Sequence, residues 1–178
     1  FDKDDVMYCN TAFGDYPHYI PAGKADHLQS RFTGWMLLNY QKPVRVSSTL
    51  GNHSPNFAVD ESIKTYWSAA SDAAGEWLES DLGEVSTIRA IQINYADQDA
   101  QYLGKSSNVA HQYILYHSKD GKKWEVLADK SQNQTDVPHE YLELAQPIEA
   151  RYVKIENRKV PSGKFALSGL RIFGKGKG

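Results

Sequence analysis

Two polar stretches of the sequence carry side chains that could do chemistry. In the first, "FAVDESIKTYWSAA" (57–70), Asp60 and Thr65 lie five residues apart with Ser62 between them, directly before the aromatic residues Tyr66 and Trp67. This pattern is open to three interpretations: a cation-binding loop, the rim of a ligand site, or an ordinary turn before a strand. In the turn, the side chains of Asp60 and Thr65 would hydrogen-bond to nearby backbone groups.

The second stretch, "ADQDAQYLGKSSNVAH" (96–111), is long and polar and follows a strand-like segment. Asp97, Gln98 and Asp99 could form hydrogen bonds with the hydroxyl groups of a sugar. Tyr102 or Tyr95 could stack on the apolar face of a sugar ring. The alternative is a solvated surface loop that binds no ligand.

A third stretch places Asp136, His139 and Glu140 close together, as in acid/base catalysis. No partner that would position these groups is visible nearby, and Val137-Pro138 predicts an extended bend. We therefore interpret this stretch as a surface turn that leads into a strand, and we predict no catalytic residues.

The composition excludes several classes of partner. The chain has 178 residues, 40% hydrophobic and 24% charged, with a net charge of -2 and a pI near 6.3. Without a basic excess, we expect neither nucleic acid nor an anionic membrane surface as a partner. No apolar run approaches the roughly 20 residues of a membrane helix. The length is that of one domain with a core, plus an arm.

Short strand-like segments dominate from Val44 to Phe173. "IRAIQINYA" alternates apolar and polar residues, and Asp120-Gly121 predicts a type I′ hairpin turn. We count about eight strands and no amphipathic helix. The fold class predicted is all-β, as a β-sandwich or a barrel.

The first 41 residues differ from the rest. They contain two strand-like pieces, about 6–13 and 34–40, joined by a long irregular link with prolines and glycines. A link of this length is unusual inside a compact domain. We therefore predict an N-terminal arm over 1–41, a β-sandwich over 42–174 and a disordered tail over 175–178.

Five motifs in sequence order resemble the discoidin family, also called the coagulation factor 5/8 type C domain. They are "VRVSSTLGNHSPNFAVDESIKTYWSA", "EWLESDLGEVSTIRAIQINY", "YILYHSKDGKKWEVL", "ARYVKIE" and "ALSGLRIFG". Sugar-binding bacterial members of the family form carbohydrate-binding module family 32. The resemblance implies a galactose-binding-domain-like jelly roll of eight main strands.

The resemblance also implies one structural Ca²⁺ in the first loop. The matching ligands would be Asp60, Thr65 and backbone carbonyls near Phe57 and Ser62, because Ca²⁺ prefers six to eight oxygens. Two positions depart from the family pattern. Glu61 replaces the usual turn glycine, and the glutamate that completes the site is Gly169 here.

Two further departures concern the sugar. Galactose-binding members place a histidine directly after the loop tryptophan, where this chain has Ser68, and an arginine where it has Asp97. The site expected for carbohydrate is therefore Tyr95, Asp97, Gln98, Asp99 and Tyr102, without a preference for galactose.

The N-terminal segments "MYCNTAFGDYPHYIP" and "GWMLLNY" are similar to the end of the catalytic propeller of bacterial family 43 glycoside hydrolases, of the xylosidase and arabinosidase type. This likeness implies a non-catalytic module attached to such an enzyme. Its partners would be plant polysaccharide and its own catalytic domain, in the periplasm, at the cell surface or secreted. Three alternatives remain: a purely structural sandwich packed on the propeller, an independent enzyme, and a lipid-binding domain.

Overall fold

The computed structural model describes residues 35–101, 110–135 and 137–176. They all belong to the second of two units into which the chain divides, residues 34–178. In these ranges the chain forms strands, turns and one short 3-10 helix, Pro55–Ala58, and no α-helix. Accordingly, no helix in the described ranges has the length and apolar character of a membrane span.

The described residues form eight strands, and every pairing between these strands is antiparallel. The order in the sheet is β1-β8-β4-β7-β5-β6, with β2 paired to β4 and β3 paired to β8. This confirms the predicted all-β jelly-roll sandwich. The strands are β1 (Met36–Leu37), β2 (Val44–Val46), β3 (Trp67–Ser68), β4 (Trp77–Tyr95), β5 (Gln112–Ser118), β6 (Glu125–Asp129), β7 (His139–Lys159) and β8 (Ala166–Lys175).

Strands β4 and β7 are longer than the sequence pattern indicates. The pattern predicts separate strands at "EWLESDLG" and "IRAIQINYA", and again at "EYLEL" and "RYVKIEN". In the structure β4 runs for 19 residues through the first two and β7 for 21 residues through the last two. Their pairing shifts between Asp81 and Ser86 and again between Ile88 and Ala90. Gly83 adopts a φ of +87° at the first shift. Irregularities of this kind bend a strand without ending it, so one strand can contribute to both layers.

The predicted hairpin joins β5 to β6, but its turn differs from a type I′ turn. Gly121 has a φ of +70°, whereas Asp120 has no positive φ. Instead, Asp120 Oδ1 accepts hydrogen bonds from the backbone N–H groups of Lys122 and Lys123, at 2.8 and 2.9 Å. The aspartate therefore closes the turn through its side chain.

The core lies between the layers and is built from apolar side chains at alternate strand positions. Trp67 is fully buried, and its ring meets Phe165 edge-on at a centroid distance of 5.5 Å. The same core contains a set of aliphatic side chains that are also fully buried: Leu78, Ile88, Ile91, Ile93, Leu115, Ile155, Leu167, Leu170 and Ile172.

Residues before the predicted boundary at 41 belong to this sandwich. Strand β1 pairs with β8, and the side chain of Asn39 is almost fully buried. Its amide donates to the carbonyl of Leu170 at 2.7 Å and accepts from the N–H of Ile172 at 3.0 Å. The described part of the arm is therefore an edge strand anchored by a buried amide.

An ion pair links the two long strands. Arg151 Nε and Nη2 donate to the two carboxylate oxygens of Asp81 at 2.7 and 2.8 Å. These hydrogen bonds hold the pKa of Asp81 below its usual range, and a hydrogen bond from the N–H of Gly83 lowers it further. Because the charged form is favoured in the folded state, the pair stabilises the fold at neutral pH.

We expect Asp81→Asn to destabilise the protein at neutral pH but not in acid. The folded pKa of Asp81 is lowered, so its contribution is present above the unfolded pKa of about 3.9 and is lost as the pH falls through the folded pKa. Thermal unfolding should therefore show a gap in Tm between variant and wild type at pH 7 that closes below pH ~3.9. Asp97→Asn, at an exposed carboxylate, is the matched control. A gap of constant size at all pH values would contradict this account.

Candidate functional site

The loop that contains Asp60 is closed by its own side chains. Asp60 Oδ1 accepts a hydrogen bond from the N–H of Ser62 at 2.8 Å, and Oδ2 accepts one from Thr65 Oγ1 at 2.7 Å. The N–H of Lys64 in turn donates to Ser62 Oγ at 3.2 Å. These are the contacts of the turn interpretation, in which Asp60 satisfies donors inside its own loop.

Glu61 holds the same loop against strand β8. It has a φ of +62°, a left-handed conformation that favours glycine, which is the residue usual at this position in the family that the sequence resembles. The single N–H of Arg171 Nε is shared between the two carboxylate oxygens of Glu61, at 2.8 and 2.9 Å. The ion pair therefore joins a residue in an unfavourable backbone conformation to strand β8.

The described residues do not fit the calcium site that the resemblance implies. Of the predicted ligands, Phe57, Asp60, Ser62 and Thr65, only Asp60 carries a charge, and both of its oxygens already accept hydrogen bonds. The other carboxylate of the loop, that of Glu61, is neutralised by its ion pair with Arg171. Across residues 35–101, 110–135 and 137–176, no three His, Cys, Asp or Glu side chains form a group that could hold a metal ion.

A second polar cluster forms where three loops meet at one end of the sandwich. Tyr66 Oη donates to Gln98 Oε1 at 2.6 Å, and Gln98 Nε2 donates to Asp99 Oδ1 at 2.7 Å. Lys164 Nζ lies 3.7 Å from Asp99 Oδ2. The ring of His53 stacks on Tyr66, with centroids 4.4 Å apart. We call these five residues the loop-end site.

Close backbone contact fixes the loop-end site. The N–H of Lys164 donates to the carbonyl of Gln98 at 2.9 Å. Gly163, with a φ of +75°, lies so near that a β-carbon there would stand 2.2 Å from the same carbonyl oxygen. Asp99 itself has a φ of +55°. The loops after β4 and before β8 thus pack backbone against backbone, which only glycine permits.

The structure brings together two of the five residues predicted to bind carbohydrate. Gln98 and Asp99 belong to the loop-end site. Asp97 is exposed next to them and forms no hydrogen bond with the described part of the chain. Tyr102 lies outside the described residues.

Tyr95 is not a stacking surface for sugar, which corrects the prediction. Only 7% of its surface is exposed, and its ring stacks on His111 at a centroid distance of 3.7 Å. Burial, followed by the negative charge of Glu140, raises the pKa of Tyr95 well above its ordinary value. The alternation of β4 places Tyr95 on the core side, as it does Ile91 and Ile93.

Two other residues also differ from the sequence interpretation. Ser68 is fully buried and donates to the carbonyl of Ala69, so this position offers no contact to a ligand at the surface. Glu140, which the sequence left without a partner, is buried and accepts a hydrogen bond from Tyr113 Oη at 2.6 Å. Lys130 Nζ lies 3.2 Å from its other oxygen.

The sequence analysis missed His53, Tyr66 and Lys164 as members of the site. They come from three separate segments of the chain and carry no shared spacing. The available signal was Tyr66 itself, an aromatic residue at the end of the first polar stretch.

We expect that Ca²⁺ does not change the thermal stability of the protein. A calcium site at a hundred times its Kd would add about 2.7 kcal/mol, which thermal scans in excess CaCl₂ and in EDTA would resolve. Glu61→Gln should lower the Tm by the same amount in both buffers, because the ion pair rather than a metal holds the loop. A higher Tm in CaCl₂ would contradict this assignment.

We expect Gly163→Ala to disrupt the loop-end site. The left-handed φ alone costs about 1–2 kcal/mol for a residue with a β-carbon, and the clash with Gln98 adds to it. Gly75→Ala is the matched control, because Gly75 has a φ of +94° and no atom within 4 Å of the added β-carbon. Denaturant unfolding should show a larger loss of stability for Gly163→Ala, and equal losses would refute the packing argument.

Comparisons with known proteins agree with the fold. Residues 43–169 match the F5/8 type C domain family. The chain is 32% identical over 95 residues to lactadherin of Rattus norvegicus and to lactadherin of Mus musculus. Each alignment covers 50% of this chain, which spans only about a fifth of the length of these relatives, 21% and 19%.

Solved structures of sugar-binding modules share the architecture. Chitosan-binding module 2 of a chitosanase/glucanase from Paenibacillus sp. IK-5, in complex with chitotriose, gives a TM-score of 0.64 at 20% identity, covering 77% of this chain and 99% of that one. The family 32 module of NanJ from C. perfringens, in complex with galactose, gives 0.62 at 18% identity, covering 79% and 98%. At these identities the likeness concerns the fold. The family match over residues 43–169 shows that this chain belongs to the F5/8 type C domain family.

Proposed function

We propose that the described domain is a non-catalytic carbohydrate-binding module and that it holds sugar at the loop-end site. The observation that carries the proposal is a chain of polar contacts. Hydrogen bonds join Tyr66 to Gln98 and Gln98 to Asp99, and an ion pair joins Asp99 to Lys164. The structural relatives that bind chitotriose and galactose support a sugar as the ligand.

The chemistry of the loop-end site suits the hydroxyl groups of a sugar. It presents an amide, a carboxylate and an ammonium group, so donors and acceptors lie side by side. The side chains are already held by one another, so binding a ligand costs them little conformational entropy. The stacked rings of His53 and Tyr66, both half-buried, provide an apolar surface beside the polar groups.

We extend the proposal to the larger protein. The likeness of the first 41 residues to a family 43 glycoside hydrolase supports a bacterial parent enzyme that acts on plant polysaccharide outside the cytoplasm. A weak module on such an enzyme raises the local concentration of substrate at the catalytic domain. The module itself would contribute binding and no bond cleavage.

A structural role is the second candidate. Strand β1 and the buried side chain of Asn39 build the segment after residue 35 into the edge of the sandwich. A linker anchored in this way could transmit stability to a preceding domain. In that case the loop-end site would bind no sugar.

Calorimetric titration separates the two candidates. We expect the full chain to bind at least one of xylotetraose, arabinotriose, galactobiose and chitotriose with a Kd on the order of 0.1–1 mM, since a shallow site engages few atoms. Gln98→Ala should weaken binding about tenfold, because the amide links Tyr66 to Asp99.

Gln134→Ala, at an exposed glutamine away from the site, is the control and should bind as the wild type does. Absence of heat with all four sugars would favour the structural role. Equal binding by the wild type and Gln98→Ala would place the sugar elsewhere on the domain.

A further inference from the structure

We propose a second carbohydrate-binding site, separate from the loop-end site, on the outer face of strands β7, β4 and β8. A groove of about 390 Å³ lies across these strands and has the volume for a small sugar. We call it the sheet-face groove. Its lining includes Ile63, Gln92, Asn94, His139, Ser168 and Arg171.

Strand register places the polar groups of the groove in two neighbouring rows. Asn94 is paired with His139 on one side and with Gly169 on the other. Two residues earlier on β4, and therefore on the same face, Gln92 is paired with Tyr141 and with Arg171. Strands β7 and β8 flank β4, so the groove is roughly 10 Å across.

Gly169 provides the space in the centre of the groove. A β-carbon at this position would stand 3.0 Å from Asn94 Nδ2 and 3.6 Å from Arg171 Nη1. Any larger residue would therefore fill the floor between the amide and the guanidinium group. The residue that breaks the implied calcium site is also the one that opens the groove.

The amide at the floor is already oriented. Asn94 is only 8% exposed, and its Oδ1 lies 3.1 Å from His139 Nδ1 and 3.4 Å from Gln92 Nε2. With the oxygen occupied in this way, Asn94 Nδ2 has no acceptor within the described part of the chain and faces the groove. A donor left open to the groove is suited to the oxygen of a ligand.

Apolar side chains border the polar floor. Ile63, on the loop above the groove, is 93% exposed. Tyr141, in the row next to Gln92, is 51% exposed. A sugar has hydroxyl groups at its edge and C–H groups on its faces, so it can satisfy both kinds of surface at once.

The charge of the groove favours a neutral sugar over an anion. Arg171 is the one arginine or lysine among the described residues that line the groove, and its Nε is paired with both carboxylate oxygens of Glu61. The ion pair leaves the groove without net positive charge to attract a phosphate or an acidic sugar. We therefore expect binding that depends little on salt.

Two-dimensional ¹H–¹⁵N NMR titrations of the full chain with xylotetraose, arabinotriose, galactobiose and chitotriose test the proposal. We expect at least one sugar to shift the amide signals of Gln92, Asn94, His139 and Arg171. These shifts should persist in Gln98→Ala, which weakens binding at the loop-end site, and should be unchanged in 0.5 M NaCl, where the Debye length is only about 4 Å.

Two variants show whether the groove itself binds. Ile63→Ala and His139→Ala change exposed side chains and should leave the fold intact. Each should lower the sugar affinity obtained from the sheet-face shifts roughly three- to tenfold. Val126→Ala, at an apolar side chain that is 57% exposed on β6, is the control and should change nothing.

Three outcomes would overturn the proposal while leaving the loop-end site untouched. They are shifts confined to the loop-end residues, sheet-face shifts that disappear in Gln98→Ala, and sheet-face shifts that Ile63→Ala and His139→Ala leave unchanged. Line broadening that grows with protein concentration alone would instead identify a self-association surface. The absence of any shift with all four sugars would contradict both sites.

Discussion

The pairing of strand β4 with three other strands is the interaction on which the rest of the structure depends. Its first part pairs with β2 and β7, and its second part pairs with β7 and β8. The inward side chains of this strand, such as Leu78, Ile88 and Ile91, are fully buried and form the centre of the core. The outward side chains Gln92 and Asn94 form the floor of the sheet-face groove. The loop that leaves the strand carries Gln98 and Asp99 to the loop-end site.

The alternation of apolar and polar residues made the fold predictable from the sequence. In "IRAIQINYA" the apolar residues Ile91, Ile93 and Tyr95 alternate with polar ones and are buried, so the strand and its core face follow from the pattern. The continuity of β4 did not follow, because the polar residues and Gly83 at its bend are also typical of a loop. The bend keeps its place in the sheet through pairing with β7, which is distant in sequence.

The sites were predictable only in part, for a different reason. Gln98 and Asp99 could be proposed because they lie together in one polar loop. His53 and Lys164 join them through contacts between segments that are far apart in the chain, and no local sequence pattern predicts such contacts. Tyr95 looked like a binding residue, but the alternation of its strand turns its side chain inward. There the ring is buried in the core together with its hydroxyl group. Glu61 illustrates the same limit, since its partner Arg171 is 110 residues away.

We propose that this member of the F5/8 type C domain family recognises carbohydrate through side chains that are fixed before the ligand arrives. A crystal structure of the chain with a bound oligosaccharide tests this claim most directly. We predict sugar density against His53, Tyr66 and Gln98, with the hydrogen bonds among Tyr66, Gln98 and Asp99 unchanged from those described here. Sugar bound only at residues outside both the loop-end site and the sheet-face groove would contradict the claim, as would a loop-end site that must rearrange to accept it.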